Sequence, residues 1–251
     1  MRGLLIASAG LAVVATATAR PVYSNGPLAT DAGAPGGAFW SRLQTGQTTL
    51  GAGHQGGTIN NRVADDFTVT DAAGWTISNI RFFAYQTGGS TAATSFTGLQ
   101  LNVWNGRPGD GGSSIVAGGM FNVALNSSNS TFSGIYRVSS TATATDRPIY
   151  QNDAAMSLTL GPGTYWLDWQ TTGSLASGPW APAVTIAGQN TVPGANARQF
   201  LGTTLAWQDL TDGGTLLPSA MPFEITYVLA PTPGAAALFG VAGLAGMRRR
   251  R

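Results

Sequence analysis

The sequence predicts an all-β domain, a two-sheet antiparallel β-sandwich of jelly-roll type, carried between two apolar ends. Three observations predict it. Short runs with strand alternation recur at intervals of roughly ten to fifteen residues, separated by Gly, Pro, Asn or Asp turns, and nothing between the two ends keeps helical periodicity. The chain is 43% hydrophobic with 7 Trp and only 10% charged residues, which excludes the low-hydrophobicity, high-charge composition of a disordered protein. It has no Cys, so burial of apolar surface must supply the stability without disulfides.

Taken in order, strands are expected at residues 65–70, 75–86, 97–104, 115–125, 131–139, 155–160, 164–171 and 222–229. Turns such as 105–110 and 161–163 punctuate them, with Pro fixing φ and Gly reaching positive φ. Alternate side chains point to opposite sides of a sheet. Leu99, Leu101 and Val103 therefore share a core face, as do Met156, Leu158 and Leu160, and Phe223, Ile225, Tyr227 and Leu229. The 75–86 run switches parity between Ile77 and Ile80, which calls for a bulge near Ser78 and Asn79 or for burial on both faces. Residues 20–62, 88–95 and 172–197 are rich in Gly, Ser, Thr, Pro and Ala and read as loops. No internal repeat of fixed period points to a propeller or a solenoid.

The two ends read as addresses. Met1 and Arg2 supply a positive start, residues 4–14 an apolar helix, and Ala17-Thr18-Ala19 a small-x-small site, so residues 1–19 read as an export signal cut after Ala19. At the other end Pro231-Thr232-Pro233 opens an apolar helix that closes on Arg248, Arg249, Arg250 and Arg251. Such a basic block stays on the cytoplasmic side and holds the preceding body outside. This tail resembles that of the bacterial PEP-CTERM proteins, with Thr232 standing where the motif carries Glu. The resemblance implies processing by an exosortase, transient membrane anchoring, and association with extracellular polysaccharide or biofilm matrix. The body is similar to domains found in such proteins, in Val63-Ala64-Asp65-Asp66-Phe67-Thr68-Val69, Phe82-Phe83-Ala84-Tyr85-Gln86-Thr87 and Gly163-Thr164-Tyr165-Trp166-Leu167-Asp168-Trp169-Gln170. The domain division is thus 1–19, a sandwich over 20–229, and a sorting tail over 230–251.

All 13 basic residues are arginine, and five of them (Arg2 and Arg248 to Arg251) lie in the ends. The body keeps 8 Arg against 11 acidic residues, a formal charge of −3, which removes the compositional support for nucleic-acid binding.

Chemical motifs are mostly missing. There is no G-x-S-x-G elbow and no Cys nucleophile. His54, the only His, sits in the Gly-rich run 51–57 and reads as a solvated loop residue, and zinc normally takes several N or S ligands. Glycoside hydrolysis needs two facing carboxylates, whereas Glu224 is the only Glu and lies opposite the core ladder of its strand. The expectation is no enzyme and no cofactor.

Two constellations remain. Asp65, Asp66 and Asp110 begin a strand or close a turn, and the ion that such oxygen ligands would take is a structural Ca²⁺, although turn aspartates usually serve backbone N–H groups. Asp65 shares the parity of Phe67 and Val69 and should point inward. The second constellation is outward-facing: Gln100, Asn102 and Trp104 on one strand, Trp166, Asp168 and Gln170 on another. Aromatic faces stack on pyranose rings while amides and carboxylates bond their hydroxyls. Large aromatics are, equally, most often buried. The functional expectation is an exported, surface- or matrix-associated, non-catalytic structural or adhesive protein. The alternative is a module binding exopolysaccharide through these six residues, and behind it a secreted glycan-active enzyme.

Overall fold

The computed structural model of the chain describes residues 20–116 and 121–230. The signal segment with Ala17 and Ala19, and the tail with Pro231, Thr232, Pro233 and Arg248 to Arg251, lie outside the described residues. Among those described, no helix is long and apolar enough to cross a membrane.

Fifteen strands are described. Four short ones open the chain: β1 (Val22–Ser24), β2 (Asp31–Ala34), β3 (Ala38–Arg42) and β4 (Ala52–Gly53). The long ones follow: β5 (Arg62–Val69), β6 (Trp75–Ala84), β7 (Phe96–Trp104), then β8 (Phe121–Ala124), β9 (Ser130–Val138), β10 (Pro148–Leu160) and β11 (Gly163–Gly173). The last are β12 (Trp180–Ala181), β13 (Arg198–Leu201), β14 (Ala206–Asp209) and β15 (Phe223–Leu229).

They form a seven-stranded sheet ordered β1-β15-β6-β10-β9-β3-β2, a six-stranded sheet ordered β14-β13-β5-β11-β7-β8, and a two-stranded patch of β12 and β4. The two large sheets pack as a β-sandwich. Pairing is antiparallel except between β3 and β9, which run parallel with Phe39 opposite Ile135, a departure from the wholly antiparallel expectation.

The expected core ladders close this sandwich. Leu99, Leu101 and Val103 from the six-stranded sheet and Phe223 and Ile225 from the other are buried, with Trp169 and Phe82 between them at a ring-centroid distance of 4.8 Å. Met156, Leu158 and Tyr227 are partly buried against the same core, whereas Leu229 at the end of its strand is exposed. The parity switch in β6 is a bulge: Asn79 faces Thr226 and Ile77 faces Tyr227, so Ser78 is the extra residue. Ile77 and Ile80 can thereby both point inward.

The loop readings hold only in part. Residues 20–62 contribute four strands before β5, and 172–197 contains β12. Within the expected strand 115–125, the described residues give β8 and a single bridge from Ile115 to Trp104. His54 is not solvated: it is fully buried, with Nε2 2.7 Å from the Thr171 hydroxyl and its backbone N–H directed at Pro179 O. Burial without a charge partner holds it neutral, with its pKa lowered to about 3.

One pairing fixes how the domain is joined to its ends. β1 lies beside β15 with Val22 opposite Thr226, and the Tyr227 N–H donates to Pro21 O at 3.2 Å. The chain therefore enters and leaves the sandwich side by side at one pole, where Ala230 N also bonds Gly74 O. β6 runs from Trp75 at that pole to Ala84 at the other, about 30 Å at roughly 3.3 Å per residue.

Candidate functional site

β7 and β11 are neighbours in the six-stranded sheet, and their register sets Trp166 opposite Trp104, Asp168 opposite Asn102 and Gln170 opposite Gln100. The six residues read from parity thus do form one constellation, on the face away from the core. Their surroundings differ from an open platform. Asp168 is 1% exposed and Trp166 5% exposed; Asn102 and Gln170 are buried as well, and only Gln100 and Trp104 are half-buried.

The middle of the constellation is an ionic knot. Arg62 on β5 projects onto the same face and donates from Nε to Asp168 Oδ1. The other carboxylate oxygen accepts from Asn102 Nδ2 at 3.0 Å and from Trp104 Nε1 at 3.1 Å. The carboxylate is thus held by three neighbouring side chains, which is what allows a charge to stay in so dry a place.

Above Trp166 lies the 105–114 turn. Arg107 places its guanidinium 5.9 Å from the centre of the Trp166 ring and pairs with Asp209 on β14. Arg198 on β13 donates to Pro108 O at 2.9 Å and to Asp110 Oδ1 at 3.0 Å. Since β11 and β5 separate β7 from β13, a turn leaving β7 and tied to β13 and β14 must cross over Trp166. The indole is consumed in this roof.

Toward the other end of the face the constellation opens into a cleft of about 230 Å³, lined by Gln100, Gln170, Asn122, Thr97, Thr172 and Gly98. Gln170 Nε2 donates to Gln100 Oε1, while Gln170 Oε1 is buried and has no hydrogen-bond partner among the described residues. An amide-lined cleft without a formal charge suits hydroxyl-bearing neutral ligands, for which Asn and Gln offer both donors and acceptors.

The three aspartates considered as calcium ligands are not brought together. Asp65 points inward and is buried; its Oδ2 accepts from Met221 N at 2.6 Å and Asn25 Nδ2 at 3.0 Å, and its Oδ1 from Asp66 N at 2.9 Å. Desolvation outweighs these donors and pushes its pKa up to about 7. Asp66 follows it on the opposite face of β5, and Asp110 is tied to Arg198 and Arg107 in the roof. Among the described residues no three His, Cys, Asp or Glu side chains gather as a metal site. Asp212 gathers donors instead: the N–H groups of Thr48, Thr49, Gly214 and Thr215 all reach its carboxylate, which lowers its pKa although the residue is buried. Glu224 pairs with Arg81, as does Asp153.

Arg62, Arg107 and Arg198 were not legible as parts of this face. Arg62 at least has a signal, since it shares the parity of Ala64 and Asp66, opposite to Val63 and Phe67. Comparison with protein-family models, with curated proteins and with solved structures returns no match.

Proposed function

We propose that the chain is an exported, non-catalytic sandwich protein of the bacterial cell surface or extracellular matrix, with a structural or adhesive role. Residues 1–19 act as its signal helix and 230–251 as a PEP-CTERM-like sorting helix. Its partners on this reading are the export machinery, an exosortase-like processing enzyme and, before processing, the membrane. The strand order is read as jelly-roll-like, because the chain changes sheet between β5 and β6, β6 and β7, and β10 and β11.

The observation that carries the proposal is the pairing of β1 with β15. Two delivery segments attached at neighbouring strands would share one membrane-proximal pole and leave the rest of a rigid body facing outward. Mass spectrometry of the protein from its native cell tests this. A mature N-terminus at Arg20 in the envelope or matrix fraction is expected; an intact chain beginning at Met1 in the cytosol overturns it.

A carbohydrate-binding reading is favoured by a separate observation, the amide-lined cleft at Gln100, Gln170 and Asn122. A glycan array probed with the full chain, and with Gln100→Ala, reads this out: a saturable neutral glycan lost in the variant supports it, and no saturable glycan rules it out.

A further inference from the structure

At the pole opposite the chain ends, where β6 finishes, the loops build a groove that the sequence reading did not single out. It has a volume of about 280 Å³ and is lined by Tyr85, Trp180, Arg147, Thr49, Thr87 and Ser177.

Its floor is built. Tyr85 is 2% exposed, and its backbone is spent in a reciprocal pair with Trp180, N to O at 2.9 Å in both directions. The Tyr85 hydroxyl, by contrast, makes no hydrogen bond with any described residue and lies at the groove. Gly51 lies hard against it: a Cβ there would come within 2.9 Å of that hydroxyl and 3.0 Å of both Ala181 O and Trp180 Cβ. A side chain at position 51 would press on the groove.

The one charged side chain in its lining is a cation. Arg147 lines the groove with its side chain 23% exposed, and its one ionic partner among the described residues is the neighbouring Asp146 at 3.2 Å. Behind the wall, Arg137 is buried and directs its guanidinium at Leu50 O at 2.7 Å, Thr49 O at 3.4 Å and the hydroxyls of Ser41 and Thr185, with no ion pair among the described residues. Asp212 is the acid that Arg137 senses at longer range, and burial lowers the Arg137 pKa to about 10, so the cation persists at neutral pH. Two guanidiniums therefore stand against Asp146 close to the groove and against Asp212 farther off.

We propose that this groove binds one acidic sugar residue of a polysaccharide, a uronate or an equivalent pyranose bearing a carboxylate. The Trp180 indole would take the apolar face of the ring. Arg147 would take the carboxylate in a charge-assisted, bidentate contact. Tyr85, Thr49, Thr87 and Ser177 supply hydroxyls for the ring hydroxyls. An acidic peptide fits less well: the backbone groups of Tyr85 and Trp180 are already used on each other, so strand addition has no free ladder here, and Leu50 is the one aliphatic residue of the wall. The inference extends the carbohydrate-binding reading to a second place, and rests on it only for the general class of ligand.

The test is isothermal titration of the full-length chain in mild detergent with oligogalacturonate, with the neutral oligogalactan and with an acidic peptide. Saturable binding to the uronate, weakened by salt and stronger than to either control, is expected. Arg147→Gln should weaken it about tenfold, in line with loss of one charge-assisted contact, and Trp180→Ala by a similar factor. Among the described residues the Arg147 side chain hydrogen-bonds only its chain neighbour Asp146, so Arg147→Gln removes no long-range polar contact and decides the matter even if Trp180→Ala unfolds. Gln100→Ala should leave uronate binding unchanged, which separates this groove from the neutral cleft. No saturable uronate binding, equal affinity in Arg147→Gln, or tighter binding of the acidic peptide would overturn the proposal. Failure of export in the cell bears on the proposed function alone, because this titration uses purified protein.

Discussion

Arg62 and Asp168 form a buried ion pair on the outer face of the six-stranded sheet, with both side chains under 10% exposed and Asn102 and Trp104 donating to the remaining carboxylate oxygen. Removing one member leaves the other charge dry and unpaired, which is costlier than the pair is stabilising. Asp168→Ala should therefore destabilise by about 3–5 kcal/mol. In a domain of this size that corresponds to a fall in Tm of about 10 °C or more. The double variant Asp168→Leu, Arg62→Met should recover most of the loss in thermal unfolding. If Asp168→Ala melts with the parent, the knot is not buried as described.

The roof over Trp166 is weaker. The ion pairs of Arg107 reach Asp209 and Asp110, whose side chains are 68% and 52% exposed, so solvent screens them to less than about 1 kcal/mol, and the contact with the indole adds a similar amount. Arg107→Ala should change Tm by only a few degrees. It should nonetheless raise acrylamide quenching of tryptophan emission, because the side chain lies over Trp166. Unchanged quenching would mean that the rest of the turn covers the indole without Arg107.

These two sites mark where sequence reading stops. Parity tells which side of a sheet a residue faces, and it placed Leu99, Leu101 and Val103 inside, Asp65 inside, and Trp104, Asn102, Trp166 and Asp168 together on the far side. The extra residue at Ser78 was legible for the same reason, since a change of parity within one strand needs a bulge. Parity carries no information on what lies above a face. Trp166 is covered by a turn tied to Arg198 and Asp209, which approach it only through long-range pairing. Short strands such as Val22–Ser24 and Asp31–Ala34 have too few residues to show alternation, and the second is Gly- and Ala-rich. His54 sits in a Gly-rich run that looks solvated, and becomes interior because Gln55 and Gly56 bridge to Thr171.

Gly74 turns the chain between β5 and β6 with φ of 79°, and a Cβ there would lie 2.3 Å from Leu160 O. Strain in the left-handed region and a clash with backbone add, because neither can be relieved by a side-chain rotation. Gly74→Ala should cost at least about 1–3 kcal/mol in chemical denaturation. Gly111→Ala, where a Cβ meets nothing within 4 Å, is the control and should be close to neutral. Equal effects of the two would remove the steric account.

Two buried titrating groups give opposite pH slopes. Asp65 has its pKa raised to about 7 by burial, so the folded state holds a proton that the unfolded state releases; its contribution is full below the unfolded value of 3.8 and is lost as pH rises to 7. His54 is depressed to about 3, so its contribution is present above the unfolded value of 6.5 and is lost as pH falls toward 3. Between pH 5 and 6.5 one slope falls and the other rises, each by at most about 1.4 kcal/mol per pH unit, and the parent should show a nearly flat stability profile there. Asp65→Asn leaves the His54 slope alone, so stability should then rise with pH across that window. His54→Gln, which can keep a hydrogen bond to Thr171, leaves the Asp65 slope, and stability should fall. Urea midpoints at three pH values for the parent and both variants check this. If the two variants keep the parent's slope, neither group titrates between folded and unfolded states, and the dry environments assigned to them are wrong.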